Sequence, residues 1–239
     1  MLAIETHALT RSFGNRLAVD SLGLSVATGT VFGLLGPVGA GKTTTIRMLA
    51  GLIVPTSGQG RVLGYRLGLE NTAIRRSVGI PVDTPGLYDL MSARQSLVFI
   101  TRLYDVEAQK AEAQTERILR QLNLWERSDD KVGSFSKSMR WKLAVARALV
   151  HDPRILFLDE PTSGLDAEAS RMVLDTIQQL KSEGRTIFLS TQKPAEAEIL
   201  CDYVGVLRTR LLRVSTPEHL LANRFDREAS LRTSAESGN

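Results

Sequence analysis

The chain has 239 residues, of which 43% are hydrophobic and 23% charged, and its mean hydropathy is near zero; this allows one large domain or two small ones and argues against a membrane-embedded chain. Lys and Arg number 30 against 26 Asp and Glu, a formal +4, but they are scattered between Arg11 and Arg232 rather than massed on one stretch. With 5% aromatics there is little material for base stacking, so no nucleic-acid partner is expected, while an anionic membrane surface nearby is compatible.

The amino terminus, M-L-A-I-E-T-H, has neither a basic nor a long apolar region, so no export signal is expected. Runs 2–8 and 22–27 resemble strands closed by the Thr28-Gly29 turn, a small antiparallel layer. Run 31–35 is an apolar strand, and 42–52 follows with helical periodicity. From about Leu87 to Val150 the pattern is helical only, with 92–104, 107–122 and 136–150 separated by polar breaks; a helical subdomain is inserted there. Strand, helix and strand return at 155–158, 167–181 and 186–189, an alternation that implies a parallel α/β core. The expected domain is residues 1–223, with 224–239 a polar, flexible tail. Cys201 is the single cysteine, which excludes an internal disulfide and fits a reducing cytosol.

Residues 36–43 read G-P-V-G-A-G-K-T, the phosphate-binding pattern G-x-x-x-x-G-K-[ST], placed after a strand and at the start of a helix as that motif requires. Gly36, Pro37, Val38, Gly39, Ala40 and Gly41 form a loop whose backbone N–H groups turn inward, and the helix beginning at Lys42 adds its positive end. Lys42 is placed to reach the β- and γ-phosphates, Thr43 to ligate Mg²⁺, and Thr44 to continue the cradle. The strand I-L-F-L-D-E then ends in two carboxylates, Asp159 to hold Mg²⁺ and Glu160 to orient or deprotonate water. Phosphoryl transfer to water suits this set. The three histidines, His7, His151 and His219, are too dispersed for a His/Cys metal site or a catalytic triad.

The segment 134–166, S-F-S-K-S-M-R-W-K-L-A-V-A-R-A-L-V-H-D-P-R-I-L-F-L-D-E-P-T-S-G-L-D, resembles the signature-to-D-loop region of ATP-binding cassette (ABC) transporter ATPases. Further landmarks of that family stand in order over residues 1–223. Phe13 in R-S-F-G-N resembles the aromatic that stacks on adenine; 161–166, with Ser163, Gly164, Leu165 and Asp166, resembles the D-loop through which two subunits meet; residues 190–192 fall at the switch loop, followed by Leu200-Cys201-Asp202. The resemblance implies a P-loop NTPase of ABC type, with a RecA-like parallel sheet core, an N-terminal antiparallel β layer and an inserted helical subdomain. It further implies ATP and Mg²⁺ as cofactors and a head-to-tail homodimer or heterodimer with a second ATP-binding subunit. Membrane-spanning permease subunits would be the partners, and the chain would lie peripherally on the cytoplasmic face of the cell membrane. The S-K-x-M style resembles the exporter branch, and the permease groove is expected near 83–96, with Pro85, Leu87, Tyr88 and Met91 as its apolar lining.

Three positions depart from the family pattern. The signature Leu-Ser-Gly-Gly-Gln is here Phe135-Ser136-Lys137-Ser138-Met139; Ser136 keeps the hydroxyl, whereas Ser138 adds a Cβ where the family's backbone approaches the partner's γ-phosphate. At the Q-loop, Asp83 replaces a glutamine, so it coordinates Mg²⁺ but does not donate when ionised. At the switch loop, Gln192 replaces a histidine and offers only a neutral amide. Losing such a transition-state contact costs roughly 2–4 kcal/mol, or about 30- to 1,000-fold in rate. With Glu160 and Gln192 as the catalytic pair, weakened rather than absent hydrolysis is expected. A fully active exporter ATPase, and a soluble ABC-type regulator or scaffold without a membrane partner, stay open as alternatives.

Overall fold

A computed structural model describes residues 1–81, 89–104 and 106–219. Strand β1 (Leu2–Phe13) pairs antiparallel with β2 (Arg16–Ala27). The hairpin closes at Gly14-Asn15, not at Thr28-Gly29, which instead leads from β2 into β3 (Val31–Leu35). The reason is that both strands continue through polar segments. Their buried residues are interspersed with exposed ones, irregularly in β1 where the register shifts, so no continuous apolar run marks their length. Strands β4 (Ser57–Val62) and β5 (Tyr65–Arg66) extend this layer in the order β2-β1-β4-β5. β4 reads S-G-Q-G-R-V, a composition depleted in strand formers, and pairing with β1 supplies what its propensity lacks.

The second sheet has the order β10-β9-β3-β8-β7-β6, formed with β6 (Val78–Gly79), β7 (Ile155–Asp159), β8 (Thr186–Thr191), β9 (Tyr203–Arg208) and β10 (Arg210–Ser215). All neighbours are parallel except β10, which returns antiparallel along β9. Both faces are covered, so its central strands read as unbroken apolar runs. The two-residue period still divides them. Val31, Leu156, Leu158, Ile187 and Leu189 join the core shared with the helical region. Phe32, Leu34, Ile155, Phe157 and Phe188 join the core beneath the antiparallel layer. There Phe188 stacks on Phe32 at 5.4 Å and lies 5.7 Å from Phe157.

Helix α1 (Lys42–Leu49) follows β3, and α2 (Asn71–Ser77) precedes β6. α1 stops short of Leu52 because Gly51 turns into the left-handed region at φ 68°. The helical region consists of α3 (Ala93–Leu103), α4 (Ala108–Gln121) and α5 (Lys137–Leu149), matching the periodicities at 92–104, 107–122 and 136–150. Ser92 and Gln95 form a capping box on α3, and Ser136 caps α5. α6 (Ala167–Ser182) and α7 (Pro194–Leu200) flank β8. The polar tail at 224–239 lies outside the described residues, as do Asp83, Pro85, Leu87 and Tyr88. No helix among the described residues is long and apolar enough to cross a membrane.

Candidate nucleotide site

The loop between β3 and α1 closes around Lys42. Gly41 sits at φ 99°, and a Cβ there would lie 2.3 Å from the Ala18 carbonyl; a Cβ on Gly36 would lie 2.4 Å from that of Leu207. Both positions therefore exclude any side chain, for backbone conformation at one and backbone approach at the other. Lys42 is 4% exposed. Its Nζ donates to the carbonyls of Gly36 at 2.8 Å and Pro37 at 2.9 Å and stands 3.0 Å from Glu160 Oε1. The lysine thus joins the loop to the end of β7. Thr43 and Thr44 occupy the first turn of α1, and a cleft of about 320 Å³ runs over them from Glu160 to Phe13, passing Arg16, Val38 and Gly39.

Phe13 ends β1 and is 47% exposed. The Arg11 guanidinium lies 4.5 Å from its ring centroid, anchored by a 2.9 Å bond from Nη1 to the Val54 carbonyl. A cationic plane therefore backs one face of the ring. Residue Arg11 was not among the sequence candidates, although the two-residue strand period that puts 11 and 13 on one face was a usable signal.

At the end of β7, Asp159 Oδ1 accepts from Ser190 Oγ at 2.5 Å. Glu160 adopts φ 46°, sparsely populated for a residue with a side chain. Its N–H is held by the Ser190 carbonyl and hydroxyl, each at 3.1 Å. The carboxylate then points into the cleft, where Oε2 accepts from Gln192 Nε2 at 2.7 Å while Oε1 faces Lys42. Gln192 follows β8, whose last residues, Ser190 and Thr191, belong to the strand rather than to a loop. The sequence predicts a place for Gln192 facing the γ-phosphate; in the structure its amide engages Glu160. The hydroxyl of Thr43 and the carboxylate of Asp159 are hard oxygen donors of the kind Mg²⁺ takes. Asp83, the further ligand expected, lies outside the described residues.

The signature and D-loop residues line a second cleft of about 510 Å³, which includes Lys137, Arg140, Asp159, Glu160, Ser163, Gly164 and Leu165. Several expected contact residues have tasks within their own chain. Phe135 is 5% exposed and packs in the helical core, so its side chain is not available to a partner's nucleotide. Ser136 Oγ accepts from the Met139 N–H at 3.2 Å and lies 3.0 Å from Ser138 Oγ. Ser138, in the first turn of α5, is 6% exposed, its hydroxyl paired with that of the capping Ser136. Met139 and Leu165 are half-buried against the same core. Asp166 caps α6, accepting from the Ala169 N–H at 2.8 Å. Ser136, Lys137, Ser163, Gly164 and Asp166 are the exposed members of this set.

A sequence model of the ABC transporter family matches residues 19–163. The chain is 37% identical over 221 residues to Nod factor export ATP-binding protein I of Rhizobium sp. (strain N33), covering 92% of this chain and 73% of that protein. It is 38% identical over 219 residues to the bacitracin transport ATP-binding protein BcrA of Bacillus licheniformis, covering 91% and 71%. The linearmycin resistance ATP-binding protein LnrL of Bacillus subtilis (strain 168) is 33% identical over 204 residues, covering 85% and 66%. Among solved structures, cbiO1 of Clostridium perfringens, part of the transporter complex cbiONQ, superposes with a TM-score of 0.85 over 97% of this chain and 95% of that one. Its identity of 22% makes this a likeness of fold.

Proposed function

The chain belongs to the ABC transporter family, and on that basis we propose that it is the ATP-binding subunit of an exporter in which hydrolysis is slow. A relative named for Nod factor export supports the direction of transport. One observation carries the catalytic reading: a single carboxylate, Glu160, lies between the Lys42 ammonium at 3.0 Å and the Gln192 amide at 2.7 Å. Lys42 and the loop N–H groups bind the β- and γ-phosphates, exchanging the lysine's carbonyl contacts for phosphate oxygens. Phe13, backed by Arg11, stacks on the adenine. Thr43 and Asp159 hold Mg²⁺, which when bound neutralises charge on the phosphates. Glu160 orients water and accepts its proton, while Gln192 fixes the carboxylate's rotamer. A neutral amide does not also carry positive charge to the γ-phosphate, which accounts for the slow rate.

In a head-to-tail dimer, Ser136 and Lys137 of one subunit complete the site whose loop belongs to the other. A groove of about 430 Å³ between α2, α3 and α5, lined by Leu52, Ile80, Ile100, Leu103 and Tyr104, suits an apolar segment of a membrane-spanning partner. Leu52 and Leu103 are 51% and 64% exposed there. ATP turnover of the purified protein, alone and with its membrane partner, tests the function. Slow release of phosphate that Glu160→Gln abolishes is expected, with Leu103→Asp losing the partner on co-purification. Turnover that survives Glu160→Gln, or an unaltered complex with Leu103→Asp, overturns the corresponding part.

A further inference from the structure

Behind the Glu160–Gln192 pair lies a buried polar cluster centred on Glu196, the third residue of α7. Glu196 is 7% exposed, and Thr162 and Thr191 are each 2% exposed. Its Oε2 accepts from Thr191 Oγ1 at 2.8 Å. Its Oε1 accepts a short bond from Thr162 Oγ1 and stands 3.0 Å from Lys193 Nζ. Lys193, its side chain half-exposed, closes the cluster from the solvent side, donating from Nζ to Thr162 Oγ1 at 2.9 Å and from its backbone N–H to Thr191 Oγ1 at 3.0 Å.

The location of these donors gives the cluster its meaning. Thr162 follows Glu160 by two residues, and Thr191 and Lys193 flank Gln192 on either side. A buried carboxylate is costly unless its lone pairs are filled, so Glu196 demands that the three donors converge. Their convergence brings the end of β8 against the turn after β7. That turn is itself short and specified: the Ser163 N–H donates to the Glu160 carbonyl at 2.9 Å, and the Leu165 N–H to that of Thr162 at 3.3 Å. Ser190 ties the same two segments from the other side. The Gln192–Glu160 bond thus spans two segments clamped together both before and after it.

We propose that Glu196 is a positioning residue for hydrolysis: without touching nucleotide, it holds Gln192 within hydrogen-bond reach of Glu160 and links that pair through Thr162 to the turn carrying Ser163 and Gly164. The proposal rests on the hydrolytic roles given above to Glu160 and Gln192. Because Glu196 acts through Gln192, its loss has no further effect once the Gln192 amide is gone. That non-additivity separates a positioning role from general damage to the fold.

The experiment is a double-mutant cycle on the full chain, reading single-turnover hydrolysis of MgATP, binding of a fluorescent ATP analogue, and Tm. Glu196→Gln and Thr191→Val are each expected to slow cleavage about tenfold while nucleotide affinity stays within about twofold. Thr191→Ser, which keeps the hydroxyl, is expected to retain the parent rate. Glu196→Gln placed in a Gln192→Ala background is expected to be no slower than Gln192→Ala alone. Thr191→Val removes one hydroxyl at nearly constant shape and keeps the test decisive should the charge change disturb folding. Parent rates in both variants, losses that multiply in the double variant, or affinity and rate falling in parallel overturn the proposal. An unchanged rate in Glu160→Gln instead indicts the hydrolytic reading; multiplying losses alongside an inactive Glu160→Gln indict Glu196 alone.

Discussion

Gln192→Ala removes the amide that donates to Glu160 Oε2 at 2.7 Å and leaves the carboxylate to Lys42, 3.0 Å away on its other oxygen. A hydrogen bond to a charged group contributes about 1.5–3 kcal/mol when shielded from water. Gln192 is exposed and the Glu160 side chain is 25% exposed, so the lower end applies, about 1.5 kcal/mol. At about 1.4 kcal/mol per tenfold, kcat is expected to fall about tenfold. In the proposed mechanism phosphate affinity rests on Lys42 and the loop, so KM is expected to move less than about twofold. Gln192→His works in the opposite direction: an ionisable donor regains the missing contact and raises kcat about 30- to 1,000-fold. Phosphate release at saturating MgATP, measured for the parent, both Gln192 variants and Glu160→Gln, reads these effects together. A parent enzyme turning over at tens per second, indifferent to both Gln192 changes yet abolished by Glu160→Gln, is incompatible with this role for Gln192.

Gly41→Ala forces a Cβ to 2.3 Å from a backbone oxygen at φ 99°; at least about 2 kcal/mol of strain should lower Tm by about 4–8 °C and abolish ATP binding by titration. Phe13→Ala should weaken ATP about 5- to 150-fold, from roughly 1–3 kcal/mol of base stacking. Arg11→Ala, which removes only the backing of that ring, should weaken it about two- to fivefold. Burial pushes the Cys201 thiol up to about 12, so a thiol reagent at pH 8 should label nothing in the native protein and one site per chain in denaturant. For His151, burial lowers the pKa from its ordinary 6.5, opposed by the hydrogen bond to the Val78 carbonyl and by Asp152. The unfolded chain therefore binds the proton more readily. Stability is fully present above about pH 6.5 and falls as acid is added through that value towards the lower folded one. Urea midpoints at pH 7.5 and 5.5 should differ more for the parent than for His151→Gln.

How far the site was legible in the sequence depended on how its parts are spaced along the chain. The candidate phosphate loop is contiguous, and its glycine positions and lysine follow local backbone geometry, so eight residues sufficed to single it out. The paired carboxylates of I-L-F-L-D-E were equally readable, because a buried strand carries acids at its end only where they reach solvent, a cation or a ligand. The helical region was legible from a 3.6-residue period, and the long polar stretches of β1 and β2 were not, because their buried residues are interspersed with exposed ones and form no apolar run. β6 and β5, two residues each, carry no periodic signal and exist by virtue of their neighbours.

Partnership across sequence distance was decided by the sheet. β7 and β8 are parallel neighbours with Asp159 opposite Ser190, and only that register brings Glu160 and Gln192, 32 residues apart, to a 2.7 Å contact. The same register makes Glu196 the focus of three donors, although in sequence it is one of several acids in an alanine-rich helical start. Likewise the hydroxyl of Ser138, an anomaly in the signature when read linearly, is paired with that of Ser136 at the start of α5. Contiguous residues were enough to establish which chemical groups are present and which short backbone loop is the candidate phosphate cradle. What each carboxylate and amide is bonded to was settled only by the folded chain, because hydrogen bonds act over about 3 Å and chain neighbours rarely supply both ends.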